Sequence, residues 1–116
     1  MAKQRKVSRH RRIQGWSSFI SKGKMKVGKL YEFAYSSKTR FDSKPLVFIL
    51  DLRGGNLKGI NINYLNYYRV DQLLQEKSSK KLQWYELYDQ AIRTYSKKHI
   101  RSVREVTYKH RTEEEL

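Results

Sequence analysis

The sequence predicts a small α+β domain that is mainly β: an SH3-like barrel or a bent antiparallel sheet with two helices and a basic N-terminal arm. Short strand patterns crowd the centre of the chain, without the regular strand–helix alternation of a parallel sheet. The 116 residues suffice for one domain rather than two. Hydrophobic residues make up 38% and aromatic residues 13% of them, enough for a core despite a net charge of +15.

The chain is expected to divide into three parts: a basic arm over 1–26, one barrel-like domain with a helical insertion over 27–110, and an acidic tail over 111–116. The arm has almost no apolar side chain between Lys3 and Arg12, so this stretch should not fold alone. Its remaining apolar residues recur at helical spacing and predict a short amphipathic helix over Ile13–Ile20.

Three strands are predicted in the centre of the chain. Leu30–Tyr35 alternates, with its three aromatic residues on one face. Leu46–Leu50 is uniformly apolar, as in a strand buried on both faces. Arg53–Asn56 predicts a hairpin turn, because Gly and Asn tolerate positive φ, and Leu57–Asn63 returns from that turn as the third strand.

Two helices and a final strand are predicted next. Apolar residues within Tyr67–Leu74 recur every three or four positions, and Asn66 precedes them as a good N-cap. The apolar stripe of Trp84–Tyr95 predicts the second helix. Ile100–Tyr108 is rich in Val, Ile, Thr and Tyr, and its alternate charges indicate a strand at the edge of the sheet.

Positive charge is concentrated in two segments. Residues 1–40 carry twelve Lys or Arg against one acid, and residues 77–111 carry ten against three, whereas 41–76 are balanced. Such a distribution favours a polyanion, because each cation beside a phosphate releases condensed counterions. Nucleic acid is the first candidate partner, ahead of an anionic membrane surface, since no long basic amphipathic helix is visible. The candidate nucleic-acid-binding residues are Arg5, Lys6, Arg9, Arg11, Arg12, Lys22, Lys24, Lys26, Lys29, Lys97, Lys98, Arg101 and Arg104.

The sequence carries no catalytic or metal-binding pattern. His10, His99 and His110 lack the spacing of metal ligands, and there is no Cys for thiolate chemistry. The acidic residues do not form a nuclease cluster, and the Gly pair lacks the rest of a phosphate loop. No apolar run approaches the roughly 20 residues of a membrane span. We therefore expect a protein that is not an enzyme, binds no metal or cofactor and does not cross a membrane.

Four segments of the chain share a pattern whose most specific part is Gly59-x-Asn61-x-x-Tyr64-Leu65. Its other residues are Gly28, Lys29, Leu30, Tyr31, Phe33, Tyr35, Lys38, Thr39, Pro45, Leu46, Val47, His99, Ile100, Arg101 and Ser102. Together these segments resemble a group of small tailed-bacteriophage proteins, many of which are described as DNA end protectors. Asn63 departs from the resemblance, since the group has His there.

The resemblance implies a virion or DNA-packaging protein, in the virion or the host cytoplasm, that binds double-stranded DNA without sequence preference. Protection of DNA ends is the role that it adds, and phage structural proteins such as the portal or neck are the partners, with oligomerisation through assembly. Two alternatives stay open. One is a structural head-to-tail protein that contacts DNA only incidentally, and the other is a small RNA-binding or RNase-toxin-like barrel.

Overall fold

The computed structural model describes residues 12–38, 41–42, 44–76 and 88–109. These residues are mainly β, as predicted, with one α-helix and several 3-10 turns. The strands are Ile13–Trp16 (β1), Leu30–Ser36 (β2), Phe41–Asp42 (β3), Leu46–Asp51 (β4), Asn56–Asn61 (β5), Ile92–Ser96 (β6) and Ile100–Tyr108 (β7), and the helix is Tyr67–Glu76 (α1). In this part of the chain no helix is long and apolar enough to cross a membrane.

The strands form one antiparallel sheet in the order β1-β7-β2-β4-β5-β6, with β3 paired to β2 beside this path. The prediction that β7 is an edge strand is wrong, because it pairs with β1 on one side and β2 on the other. Two of its charged residues instead meet charges of neighbouring segments: Arg104 pairs with Glu32 and Glu105 with Lys29. Interior charges of a sheet are tolerated when they are paired in this way.

The sheet curves back on itself. The 3-10 turn Lys97–His99 joins β6 to β7, although β5, β4 and β2 lie between those strands in the sheet. Four strand spacings of a flat sheet span about 19 Å, more than the roughly 14 Å that four extended residues reach. The rings of Tyr35 in β2 and Tyr95 in β6 accordingly meet edge to face, 4.9 Å apart. Curvature therefore brings residues of strands that are not neighbours in the sheet into contact.

Both faces of the sheet are buried. The aromatic residues of β2 pack on the concave face, as their alternation predicts. On the other face α1 buries Val70 and Leu73, each stabilising the fold by about 1.5–3 kcal/mol. β4 supplies alternate residues to both clusters, which confirms the prediction of a strand buried on both sides.

Three local features determine where α1 begins, where the β4–β5 hairpin turns and how closely β5 approaches β4. The Asn66 side-chain oxygen accepts a hydrogen bond from the Arg69 N–H at 2.8 Å, which confirms the predicted N-cap of α1. Gly54, at φ 72°, turns the β4–β5 hairpin where the sequence places it. A Cβ on Gly59 would lie 2.7 Å from the Phe48 carbonyl oxygen, so only glycine lets β5 approach β4 this closely.

Residues 12–26, assigned to the arm by the sequence, belong to the domain. Ile13–Trp16 is a strand rather than the start of a helix, because β7 offers a backbone partner and Gly15 weakens a helix. Farther along, the Ile20 N–H donates to the Val103 carbonyl oxygen at 2.9 Å, and Met25 is buried in the concave cluster. The predicted short helix is therefore wrong, since its residues pair with β7 instead.

The second predicted helix is wrong over its C-terminal part, where Ile92–Ser96 forms β6. The apolar residues that predicted this helix pack on opposite faces of the sheet: Ala91 packs in the cluster beneath α1 and Tyr95 in the concave cluster. Pairing with β5 overrides the helical spacing, since β-branched and aromatic residues suit a half-buried strand. The predicted linker and the start of that helix lie outside the described residues, as does the acidic tail.

Candidate nucleic-acid interface

The two basic segments meet at one end of the sheet. The 3-10 turn Lys22–Lys24 comes from the first segment and Lys97–His99 from the second. Lys22 Nζ donates a hydrogen bond to the Lys97 carbonyl oxygen at 2.7 Å, across 75 positions of the chain. We call the resulting surface the basic pole, and its members are Lys22, Lys24, Lys26, Lys97, Lys98 and Arg101.

Lys97 holds the pole together rather than facing solvent freely. Its ammonium donates to the carbonyl oxygens of Leu52 and Gly54, the latter at 2.8 Å, and its backbone N–H donates to Gly55 at 3.0 Å. These bonds fasten the Lys97–His99 turn to the β4–β5 hairpin. The sequence predicted a phosphate contact at this position; no local pattern could reveal the structural role, because the acceptors lie more than 40 positions away.

Four cations of the pole remain directed to solvent. Lys24, Lys26, Lys98 and Arg101 are exposed, and none forms an ion pair with another residue in the described ranges. A phosphate beside any of them would release a counterion without first breaking an ion pair inside the protein. Curvature of the sheet thus gathers cations that are far apart in the sequence.

A groove of about 510 Å³ opens beside these lysines. Lys24, Lys26 and Lys29 line it, and Lys29 also meets Glu105 at 3.6 Å in a pair that is half exposed on both sides. An exposed pair of this kind is weak, so Lys29 could exchange Glu105 for a phosphate at little cost in free energy. The lining of the groove therefore combines three cations with the single carboxylate of Glu105 and is net positive.

The Tyr31 hydroxyl lies at this groove and accepts a hydrogen bond from the Lys26 N–H at 2.9 Å. Burial raises the pKa of Tyr31, an effect that the Lys26 hydrogen bond opposes and the Glu105 carboxylate reinforces. The phenol is therefore neutral across the physiological range and adds no negative charge that would repel an anion.

Arg104 differs from the other predicted contacts. Its guanidinium donates to Glu32 at 2.8 Å and lies 5.1 Å from the Trp16 ring and 5.3 Å from the Phe19 ring. Glu32 is 5% exposed, and a buried carboxylate needs such a partner. Arg104 is thus bound within the protein and is not one of the solvent-directed cations of the basic pole.

The N-terminal arm reaches the domain beside α1. The guanidinium of Arg12 lies 5.3 Å from the Tyr67 ring, and the Arg12 carbonyl oxygen accepts the Lys109 N–H at 2.7 Å. Arg12 is therefore also engaged by the domain. The other predicted arm contacts lie outside the described residues: Arg5, Lys6, Arg9 and Arg11.

The ionisable groups of the described ranges include no group of three His, Asp or Glu residues that could hold a metal ion. His99 is in the Lys97–His99 turn, with its ring 6.1 Å from that of Tyr35 in an edge-to-face contact. His10 and His110 lie outside the described residues.

The Gly-x-Asn-x-x-Tyr-Leu pattern behind the family resemblance consists of packing residues. Gly59 permits the close approach of β5 to β4, and Leu65 is buried in the cluster beneath α1. The Asn61 amide donates to the Tyr95 hydroxyl at 3.1 Å, while its carbonyl oxygen accepts the Asn63 N–H. Tyr64 lies under the Arg93 guanidinium at 4.4 Å. In this chain the pattern maintains the fold, so it carries no direct information about a ligand.

No family model, curated protein or solved structure matches the chain. The geometry and charge of the basic pole are therefore the basis for its function.

Proposed function

We propose that this chain is a non-catalytic protein that binds double-stranded DNA without sequence preference through its basic pole. The observation that supports this most is the joining of the two basic segments by the Lys22–Lys97 hydrogen bond. Charges that are separate in sequence then act on one partner, and their attraction for a polyanion adds up.

The cations of the pole contact phosphates, which position a protein on DNA without reading its sequence. The described helix α1 has Asn66 at its N-terminus and buries one side against the sheet, so it is not the element that enters a groove. With six to ten phosphate contacts from the pole and arm, the slope of log K against log salt is about −5 to −9.

For the fold we propose an SH3-like barrel. The order β7-β2-β4-β5-β6, closed by one 3-10 turn between β6 and β7, supports this assignment. The inner cluster between β2 and β6 supports it as well. In this arrangement the loops at one end of the barrel form the basic pole.

For the biological setting we propose a tailed-phage virion or DNA-packaging protein, in the virion or the host cytoplasm, with protection of DNA ends as its role. The resemblance of four segments of the chain to small tailed-bacteriophage proteins supports this setting. The portal and neck are the structural partners that we propose. A pole of uncompensated lysines suits a position beside packaged DNA.

The test is binding of the full chain to blunt linear duplex, closed circular duplex and single-stranded DNA at two salt concentrations. We expect steeply salt-dependent binding to both duplexes. A preference for linear DNA that persists when closed circular duplex is added as a competitor supports the proposed protection of DNA ends. Weak binding to every DNA would contradict the proposal and favour a structural head-to-tail protein, whereas metal-independent cleavage of RNA would favour the RNase-like barrel.

A further inference from the structure

The groove lined by Lys24, Lys26 and Lys29, which we call the lysine groove, also contains a buried hydroxyl group. Tyr31 is 1% exposed and lines the groove, and its hydroxyl accepts a hydrogen bond from the Lys26 N–H at 2.9 Å. In the part of the chain that the structure describes, no residue accepts the hydrogen of this hydroxyl. Buried hydroxyl groups normally donate to a partner, so the acceptor for Tyr31 comes from solvent or from a ligand in the groove.

The Tyr31 hydroxyl is fixed in place and keeps its hydrogen. Tyr31 lies inside the sheet, where β2 pairs it with Val47 of β4 and with Glu105 of β7. Burial raises the pKa of Tyr31, so the phenol remains a hydrogen-bond donor at neutral pH. A donor that is positioned before a ligand arrives loses little side-chain entropy when it binds.

The charges of the lysine groove select between the two kinds of phosphate in DNA. Three lysines and the carboxylate of Glu105 give the lining a net charge of two positive units. A phosphodiester inside a strand carries one negative charge, whereas a phosphate monoester carries about 1.5 to 2 at pH 7 and has three strong acceptor oxygens. The monoester therefore matches the net charge of the lining better, and its oxygens can accept the Tyr31 hydrogen.

The position of the groove also favours the end of a strand. Lys24 and Lys26 belong both to the lysine groove and to the basic pole, so a duplex held by the pole lies beside the groove. An internal phosphate is joined to sugars on both sides, whereas a terminal phosphate is joined to one and can enter a concave site. The groove volume of about 510 Å³ is within the range of about 300–1,000 Å³ for small-molecule sites.

We propose that the lysine groove binds the terminal phosphate of a DNA strand, with the Tyr31 hydroxyl donating a hydrogen bond to one of its oxygens. This inference deepens the proposed DNA binding and rests on it, because the pole holds the duplex while the groove holds its end. A free nucleoside monophosphate carries the same chemical group, and the experiment separates these two sources.

The experiment compares two labelled DNA hairpins of one sequence, whose single blunt end carries either a 5′-phosphate or a 5′-hydroxyl. We expect the full chain to bind the phosphorylated hairpin about tenfold more tightly, as one charge-assisted hydrogen bond allows. Equal affinities for the two hairpins would overturn the proposal.

Two variants alter the charge of the groove in opposite directions without changing the pole. Lys29→Met should abolish most of the preference for the phosphorylated hairpin and leave the affinity for the hydroxyl hairpin nearly unchanged. Glu105→Gln removes the carboxylate that repels a phosphate, so it should increase the preference, which a purely structural role of Glu105 would not do. Lys44→Met removes an exposed lysine outside the groove, and as the matched control it should keep the preference of the wild type.

Tyr31→Phe tests the hydrogen-bond donor, since it removes the hydroxyl and keeps the ring. It should weaken binding of the phosphorylated hairpin alone. This variant also leaves the Lys26 N–H without its acceptor, so urea denaturation accompanies the binding measurement. If Tyr31→Phe does not fold, Lys29→Met and Glu105→Gln still decide the proposal, and an unchanged preference in both would overturn it.

A second readout does not require duplex binding. Thymidine 5′-monophosphate should shift the backbone amide NMR signals of Gly23, Lys24 and Lys26, whereas thymidine should not. The Lys26 signal should respond because its N–H donates to the hydroxyl that would bind the phosphate. No shift with the monophosphate, or equal shifts with both compounds, would overturn the lysine groove as a phosphate site.

The two readouts separate failure of the groove from failure of duplex binding. Tight binding of both hairpins without preference, together with no amide shift, overturns the groove and leaves the proposed function standing. Amide shifts without binding of either hairpin overturn duplex binding and DNA as the source of the phosphate, and assign the groove to a free nucleotide. Absence of both effects overturns both proposals.

Discussion

The basic pole and the arginine–aromatic pairs use positive charge in opposite ways. At the pole, Lys24, Lys26 and Lys98 extend into solvent without an acidic partner in the described ranges. Elsewhere, guanidinium groups lie against aromatic rings. These pairs are Arg12 with Tyr67, Arg69 with Tyr68, Arg93 with Tyr64, and Arg104 with Trp16 and Phe19.

The difference follows from the chemistry of the two side chains. A guanidinium is planar and weakly hydrated, so it stacks on rings and pairs with buried carboxylates, whereas an ammonium is strongly hydrated and stays in water. Arg101 is the exception, since it alone of the described arginines has neither a ring nor an acid as partner. A count of Lys and Arg therefore overstates the number of cations that the proposed DNA contact can use.

The largest expected effect comes from removing a carboxylate that stabilises the fold. Glu32→Ala leaves Arg104 without its acid, and removing one partner of a buried pair is costly. Because Arg104 is 29% exposed, we expect a loss of about 2–3 kcal/mol in the free energy of unfolding, below the full cost of a buried pair. Urea denaturation measures it.

Glu105→Ala is the matched control for Glu32→Ala, since it removes the exposed partner of Lys29. Its expected cost is below about 0.5 kcal/mol. Similar losses for the two variants would contradict the assignment of Arg104 to the fold.

Two neighbouring lysines sharpen the comparison within the pole itself. Lys97→Met removes the ammonium that fastens the Lys97–His99 turn to the hairpin, and it should lower the free energy of unfolding by about 2 kcal/mol. Lys98→Met should change stability by less than about 0.5 kcal/mol and weaken duplex binding about two- to fivefold. The free energy of unfolding and the affinity for duplex DNA, measured for both variants, test these two roles. If Lys98→Met were the less stable of the two, the roles given to these lysines would be reversed.

The smallest expected effect concerns an arginine paired on the surface. Hydrogen bonds from the Arg53 side chain and then from its backbone N–H lower the pKa of Asp51 to about 2. A depressed pKa contributes stability that is present above the ordinary value near 3.8 and is lost as the pH falls through about 2. Asp51→Asn should therefore be less stable than the wild type at pH 5 and approach it at pH 2.

The measurement for Asp51 is urea unfolding at pH 5, 3 and 2. Asp89→Asn, at another exposed carboxylate, is the control. A difference between wild type and Asp51→Asn that stays constant with pH would show that the Arg53 pair does not exist in solution. The side chain of Arg53 is 92% exposed, so solvent screens the pair and the difference is small.

Local patterns predicted part of this molecule well. β2, β4, β5, β7 and the capped start of α1 follow from alternation, apolar runs and turn residues, which are properties of short segments. β1 and β6 were predicted as helices, because distant partners on β7 and β5 impose their strand conformation. Tertiary pairing overrides spacing where the helical signal is short.

The candidate site was predictable as a set of charges but not as a surface. The Lys22–Lys97 and Glu32–Arg104 contacts join residues 75 and 72 positions apart, and both depend on how the sheet curves. The sequence therefore predicted Lys97 and Arg104 as phosphate contacts, since nothing nearby in the chain marks their partners. No local pattern marks the contact of Trp16 with Glu32 either, because the two residues are 16 positions apart in the chain.

The most direct test of the central claim is the salt dependence of duplex binding for two charge-matched triple variants. One variant removes pole cations: Lys24→Ala, Lys98→Ala and Arg101→Ala. The other removes cations away from the pole: Lys44→Ala, Arg69→Ala and Lys109→Ala. The slope of log K against log salt should become shallower by about 3 in the pole variant, since each lost phosphate contact contributes about 0.9. It should hardly change in the control variant. Equal slopes for both variants would contradict the account, because binding would then depend on total charge and not on the pole.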